Sequence, residues 1–132
     1  MAWVDEDIEV GQNEDFNRTV LIVNKETSGF FNYTGASAKL SVRQAWSNGA
    51  AEILAVSSGG MSPQITFEAL PAGDIPAPAY NNAYKFFFTA AQLLALIPGT
   101  YYYDFLLIWA DGTHSYLQRG EFVVVNTAAR YP

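Results

Sequence analysis

The chain has no cysteine and a single histidine, and only 15% of its 132 residues are charged. Without cysteine there are no disulfides, no thiolate metal ligands and no thiol nucleophile, so packing and hydrogen bonds must carry the fold. The single histidine, His114, follows the Asp111-Gly112 pair, where an imidazole is ordinarily solvated. A nucleophilic triad would have only this one base, and an imidazole metal site would have only Asp111 nearby. No Gly-x-Gly-x-x-Gly occurs, and Gly59-Gly60 is not followed by Lys-Ser/Thr, so nucleotide chemistry has no support. Asp5, Asp7 and Glu9 alternate and could offer oxygens to a hard cation, yet they lack the glycine-punctuated loop of an EF-hand. No metal, cofactor or catalytic residue is therefore expected.

Long apolar runs are also missing. The longest, Tyr101 to Ala110, contains Asp104 and suits a buried strand better than a membrane span. The N-terminus, Met1 to Asp7, has no basic region followed by an apolar stretch and does not resemble a signal peptide. The expectation is a soluble protein made in the cytoplasm, with no membrane partner. Two glycosylation sequons, at Asn17 and Asn32, are then chance matches.

What the chain does have is aromatic mass: 9 Phe, 8 Tyr and 3 Trp, within a hydrophobic share of 50%. That composition offsets the entropy of ordering and excludes disorder, and the length suits one domain. No self-similar period suggests a repeat array. The net charge is −6, and six acids (Asp5, Glu6, Asp7, Glu9, Glu14, Asp15) fall in the first 15 residues, with no base among them. The other seven acids are matched by seven Lys and Arg, which leaves no basic stripe for nucleic acid. Residues 1–15 are expected to be a solvated acidic arm, able to dock on a basic partner surface.

Periodicity predicts strands almost throughout. Ala38, Leu40 and Val42 alternate with Lys39, Ser41 and Arg43, giving one dry and one wet face. Further strands are expected at 16–23, 51–56, 64–70, 84–88, 101–109 and 115–125. The last two are joined by a hairpin through Ala110-Asp111-Gly112-Thr113. Tyr101, Tyr103, Phe105, Leu107 and Trp109 share one face and should line the core, while Tyr102 and Asp104 point the other way. Tyr80, Tyr84, Tyr102 and one of Phe86-Phe87-Phe88 are candidates for an exposed apolar patch.

Asn48-Gly49, Ser58-Gly59-Gly60 and Pro98-Gly99 mark reversals, and Pro71 to Pro78 carries three prolines that forbid a central strand. One helical segment, 90–96, is expected behind a Thr89 cap, with Pro98-Gly99 ending it. About seven short strands with regular turns argue for a β-sandwich.

Several segments in order, Tyr33-Thr34-Gly35-Ala36-Ser37-Ala38-Lys39-Leu40-Ser41-Val42-Arg43, Ile65-Thr66-Phe67, Thr89 to Leu93, Pro98-Gly99-Thr100-Tyr101-Tyr102-Tyr103-Asp104, Asp111-Gly112 and Gln118 to Val124, carry a likeness. Over roughly residues 12–126 the chain resembles the immunoglobulin-like domain at the N-terminus of phage baseplate upper proteins and its small stand-alone relatives among tailed-phage structural proteins. The resemblance implies an all-β, immunoglobulin-like antiparallel sandwich with about seven strands and one short helix, working as an attachment module without an active site. Residues 1–15 would be the acidic arm, 16–126 the sandwich with a Pro/Ala-rich loop at 71–82, and 127–132 a C-terminal tail.

Its expected partners are other phage structural proteins, namely capsid, neck or tail subunits, with homo-oligomers in the particle. The expected location is the virion, after synthesis in the host bacterial cytoplasm. The arm and the loop depart from the family pattern and, with the C-terminal tail, are expected to make these contacts, so Asp5, Glu6, Asp7, Glu9, Ile75, Pro76, Pro78, Tyr80 and Tyr131 are the candidate partner contacts. An alternative is a carbohydrate-binding module that attaches to host-surface glycans through exposed aromatics.

Overall fold

The computed structural model describes residues 4–24, 29–45 and 50–126. In chain order the elements are β1 (Val4–Asp5), β2 (Ile8–Gly11), β3 (Phe16–Leu21), β4 (Val23–Asn24), β5 (Gly29–Phe30), β6 (Ser37–Arg43), β7 (Glu52–Ser57), β8 (Ile65–Glu68), β9 (Ala83–Phe88), α1 (Ala90–Leu94), β10 (Gly99–Ile108) and β11 (His114–Val125). One sheet runs β11–β10–β6–β7, with β1 and β2 end to end along the free edge of β11. The other runs β3–β9–β8, and β4–β5 form a small ribbon. This is the frame of an immunoglobulin-like sandwich: a three-stranded B-E-D sheet faces a G-F-C sheet that has gained one further strand, β7.

A turn interaction belongs to the same frame. Tyr101, at the start of β10, donates its hydroxyl to the carbonyl of Ile97 just upstream, which is the tyrosine corner of such sandwiches. No cysteine bridges the sheets, and aromatic packing occupies the space between them. Tyr33, Tyr84, Phe86, Phe88, Tyr103, Phe105 and Phe122 are all fully buried. Tyr84 stacks on Phe105 at 4.3 Å between centroids, and Phe88 meets Phe122 edge-on at 5.2 Å. Each of these rings contributes about 1.5–3 kcal/mol by leaving water. The inward row of β10 is Tyr101, Tyr103, Phe105 and Leu107, as its alternation predicts, with Trp109 half-buried at the end.

Local signals place the ends of elements. The Thr89 hydroxyl accepts from Gln92 N–H, and Gln92 Oε1 accepts from Thr89 N–H, making a capping box at the start of α1. The helix ends at Leu94, two residues earlier than the predicted 96. In the β10–β11 hairpin, Asp111 Oδ1 accepts from both the N–H and the hydroxyl of Thr113, and Gly112 takes φ +89°.

The N-terminal segment departs from expectation. Residues 4–11 do not stay outside the sandwich: β2 pairs in parallel with Phe122–Val125, and β1 with Gln118 and Arg119, in one continuous register. Ile8 and Val10 are fully buried while Asp7 and Glu9 stay exposed. The physical reason is alternation on an edge strand: two apolar side chains fill the core, and the acids that flank them dominate the composition. The sandwich therefore begins at residue 4 rather than 16, and its edge is parallel rather than wholly antiparallel.

Gly120 makes this edge possible. A Cβ there would lie 2.2 Å from the Glu6 carbonyl oxygen, so only glycine lets the first segment lie on β11 at that point. Further along the same strand pair, the register of β10 with β11 shifts between Phe105 and Leu106. The bulge turns Leu117 and Gln118, neighbours in sequence, both into the interior.

Candidate functional site

The interior is filled by side chains, so candidate contacts lie on the surface. The connection from β8 to β9 is the most built of them. At its base, the side chain of Asn82, fully buried, pairs with the backbone of Leu70 in both directions: Oδ1 accepts from Leu70 N–H at 2.8 Å and Nδ2 donates to Leu70 C=O at 2.9 Å. At its tip, Ala72 and Ile75 exchange backbone hydrogen bonds of 3.0 and 2.9 Å around Gly73-Asp74. Gly73 has φ +57°, the left-handed conformation this two-residue turn requires at its first position.

The loop is thus fixed at both ends. Ile75 is 52% exposed, Pro76 and Ala77 are exposed beside it, and Pro78 and Tyr80 are half-buried. Sequence reasoning marked Ile75 and its prolines but missed Asn82. An asparagine between a proline-rich stretch and an apolar strand was the available signal.

The acidic residues of the N-terminal segment are engaged within the chain. Glu6 pairs with Arg18 of β3 at 2.9 Å, and its backbone carbonyl accepts from the Tyr103 hydroxyl. Asp5 meets Arg119 at 3.5 Å, and Asp7 Oδ1 accepts from Glu121 N–H at 2.9 Å. Among the described residues, the Glu9 carboxylate makes no such contact. The structure thus gathers Asp5, Glu6 and Asp7 around the Gly120 corner, where Asp5 and Asp7 bind β1–β2 to its own sheet and Glu6 ties it to β3 of the other. Tyr131 and the 127–132 tail lie outside the described residues.

Two further surfaces carry polar chemistry. On the outer face of the larger sheet, Glu52 Oε2 lies 3.1 Å from Lys39 Nζ, 3.6 Å from Arg43 Nη2 and 2.9 Å from Ser41 Oγ. Burial pushes the Glu52 carboxyl up, but the Lys39 and Ser41 hydrogen bonds and the charges of Lys39 and Arg43 outweigh it and hold it below its ordinary value. Asp104, half-buried on the same face, is raised, mainly by burial. At the β10–β11 end, Asn32, Thr34, Trp109, Ala110, Asp111 and Thr113 line an open groove. The Asp111 carboxyl is held low by the Thr113 hydroxyl and N–H.

His114 is exposed at the first residue of β11. Tyr84, a candidate for the surface patch, is fully buried instead, because Ala83 and Tyr84 enter β9 with Tyr84 facing Phe105. Phe87 is the exposed member of its triplet, and Tyr102 is half-buried. Among the described residues, no three His, Asp or Glu side chains are grouped to hold a metal ion, and no helix is long and apolar enough to cross a membrane.

No family model matches this chain, and no curated protein matches it. Among solved structures, a VGSC beta subunit studied for multimeric cell-adhesive interactions aligns at 10% identity over 92% of each chain, with a TM-score of 0.40. Murine CRIg aligns at 10% identity over 91% of this chain and 92% of its own, TM-score 0.37. An extracellular domain of the voltage-gated sodium channel beta4 subunit aligns at 9% identity over 96% and 95%, TM-score 0.35. Likenesses this distant carry no functional argument, and the fold assignment rests on the strand order above.

Proposed function

We propose that this chain is a non-enzymatic attachment module of a tailed-phage particle, docking on other particle subunits as an adaptor of the tail, baseplate or neck, or as a capsid decoration protein. One observation supports docking above the rest: the Leu70–Asn82 clamp and the Ala72–Ile75 turn hold an apolar tip, Ile75-Pro76, clear of the sandwich. A tip ordered before binding loses little conformational entropy on association, and an aliphatic side chain on it can fill a partner's pocket. The phage assignment itself rests on the resemblance carried by Tyr33–Arg43, Pro98–Asp104 and Gln118–Val124.

The test is immunogold labelling of purified particles from the source phage or lysogen, with antibody raised against the domain and mass spectrometry of the same particles. Gold on the capsid supports decoration, and gold at the neck or tail supports an adaptor. Absence of both label and peptides sinks the phage reading. Wild-type protein should also rebind stripped particles, while Ile75→Asp should not.

The groove of Asn32, Thr34, Trp109, Asp111 and Thr113 favours a second reading, a glycan-binding module, because it sets an indole beside hydroxyl, amide and carboxylate groups. Trp fluorescence titrated across a broad glycan panel tests it, and an unchanged spectrum removes it.

A further inference from the structure

The geometry points to the outer edge of β7 as a contact between two copies of this chain, apart from the docking reading of the 71–78 loop. Among the described residues no strand pairs with that edge, since β7 ends the order β11–β10–β6–β7. The direction of its backbone groups follows from the ladder. Ser58 N–H donates to the Ala38 carbonyl, one step beyond the Lys39–Ser57 pair. Successive residues of an antiparallel strand turn their N–H and C=O alternately to one side and the other. Val56 and Leu54 therefore bond to β6, and Ser57 and Ala55 face away from it. Ser57 shows this directly, its carbonyl accepting from Gln64 N–H in the following loop at 3.0 Å. The outward N–H and C=O of Ala55 have no strand beside them.

A second copy satisfies that pair of groups. With a two-fold axis through Ala55, perpendicular to the sheet, each Ala55 donates to and accepts from its counterpart, as the closely bonded pairs of an antiparallel ladder do. The same register sets Leu54 opposite the second copy's Val56, so the two inner faces join. Ala55 lies opposite Ser41 on the outer face, where two methyl groups meet without collision.

Charge does not oppose self-pairing at this place. The chain carries net −6, but the one charged residue of β7, Glu52, is drawn back over β6 by Lys39, Ser41 and Arg43. The edge from Ile53 to Ser57 is left free of charge, lacking the Lys or Glu with which edge strands are commonly guarded. Beside it, Ile53 and Leu54 line a groove with Leu96 and Ile97, and Ile97 is 78% exposed. A register shift at Ile53 and the Gln64 bond to Ser57 limit the ladder to its centre, so the association is short and concentration-dependent.

Sedimentation equilibrium of the full chain tests this. The weight-average mass should rise from 14.5 kDa toward twice that value as concentration increases. Ala55→Glu, which opposes two carboxylates at the axis, should hold the mass at the monomer value while circular dichroism and the melting transition report an intact fold. The chain lacks cysteine, so Ala55→Cys introduces a single thiol. At the roughly 5.5 Å Cα separation of a bonded pair, it should oxidise to a linked dimer at least tenfold faster than Ser62→Cys on the exposed loop. A mass that stays monomeric up to about 1 mM, with no excess cross-linking of Ala55→Cys, overturns the proposal and leaves the edge to a strand from another protein. A dimer that survives Ala55→Glu equally overturns it, because the contact then lies elsewhere.

Discussion

The Tyr84 hydroxyl donates to Gln118 Oε1 at 2.8 Å, joining the two sheets through a fully buried side-chain amide. Gln118 Nε2 donates onward to the Tyr103 hydroxyl at 2.8 Å, and Tyr103 donates to the Glu6 carbonyl. Every donor in the relay points the same way, from β9 through β11 and β10 to the N-terminal edge. Burial raises the Tyr84 and Tyr103 phenols well above their ordinary value, so both remain donors across the whole working pH range.

Removing Gln118 should therefore cost more than its size suggests. Gln118→Ala strips the acceptor from Tyr84 and one donor from Tyr103 and opens a cavity, with an expected loss of about 2–4 kcal/mol. Tyr84→Phe strands only the amide oxygen and should cost about 1–3 kcal/mol. Urea unfolding checks both. The double variant Tyr84→Phe/Gln118→Ala should lose less than the sum of the singles, and strict additivity would mean the relay is not a unit.

Residues 4–11 should prove part of the fold. Ile8→Ala removes a fully buried side chain and should cost about 2–5 kcal/mol. Deleting residues 1–11 removes Val10 as well and exposes the edge of β11, so the truncated chain should lose cooperative unfolding by circular dichroism. A deletion that melts like wild type would return these residues to the status of a free arm.

How much of this was legible in the sequence differs by element. The alternation of Ala38–Arg43, the Tyr101–Leu107 row, the Asp111-Gly112 hairpin and the Thr89 cap could be read because local chemistry decides them. The place of Ile8 and Val10 could not, since four neighbouring acids mask a two-residue apolar pattern and parallel pairing leaves no local mark. Gln118 escaped for a different reason: the bulge at Leu117 breaks the period of two, and nothing in residues 114–125 announces it. Of the candidate contacts, Ile75 and Pro76 are displayed as expected, whereas Asp5, Glu6 and Asp7 turned out to be engaged by Arg119, Arg18 and Glu121 through long-range pairing.

Gly120→Ala tests the close approach at the N-terminal edge. The added methyl would meet the Glu6 carbonyl oxygen at 2.2 Å and its carbon at 2.7 Å, and both are backbone atoms. The first segment must move off β11 or take the strain, with a loss of about 1–3 kcal/mol. Amide exchange should accelerate at Glu6 before it does at Phe105. Unchanged exchange at Glu6 would show that the edge can shift without cost.

Asn82→Ala should loosen the exposed loop more than it unfolds the sandwich. Two hydrogen bonds to Leu70 disappear, and the stranded Leu70 groups should lower stability by about 1–3 kcal/mol. Ile75→Asp, by contrast, alters an exposed side chain and should stay within about 0.5 kcal/mol of wild type. If Asn82→Ala left hydrogen exchange of Leu70 unchanged, the loop would owe its order to the tip turn alone.

Asp104 and Glu52 share the outer face of one sheet and should titrate with opposite consequences for stability. For Asp104, burial raises the carboxyl; the charge of Arg43 lowers it, Glu52 raises it and Lys39 lowers it, with a net rise. A carboxyl raised on folding binds its proton more tightly in the folded state. Its ionisation costs stability above the folded pKa, and that cost vanishes as pH falls below the unfolded value. Glu52 is lowered, so its contribution is present above the unfolded value and is lost only as pH falls through its lower folded pKa. Asp104→Asn should therefore be more stable than wild type at pH 7, with the gap narrowing as pH approaches about 4. Glu52→Gln should be less stable at pH 7, with a gap that closes only in stronger acid. Urea midpoints at a series of pH values separate the two, and an Asp104→Asn advantage that grew on acidification would mean that the charges of Arg43 and Lys39 outweigh burial at this site.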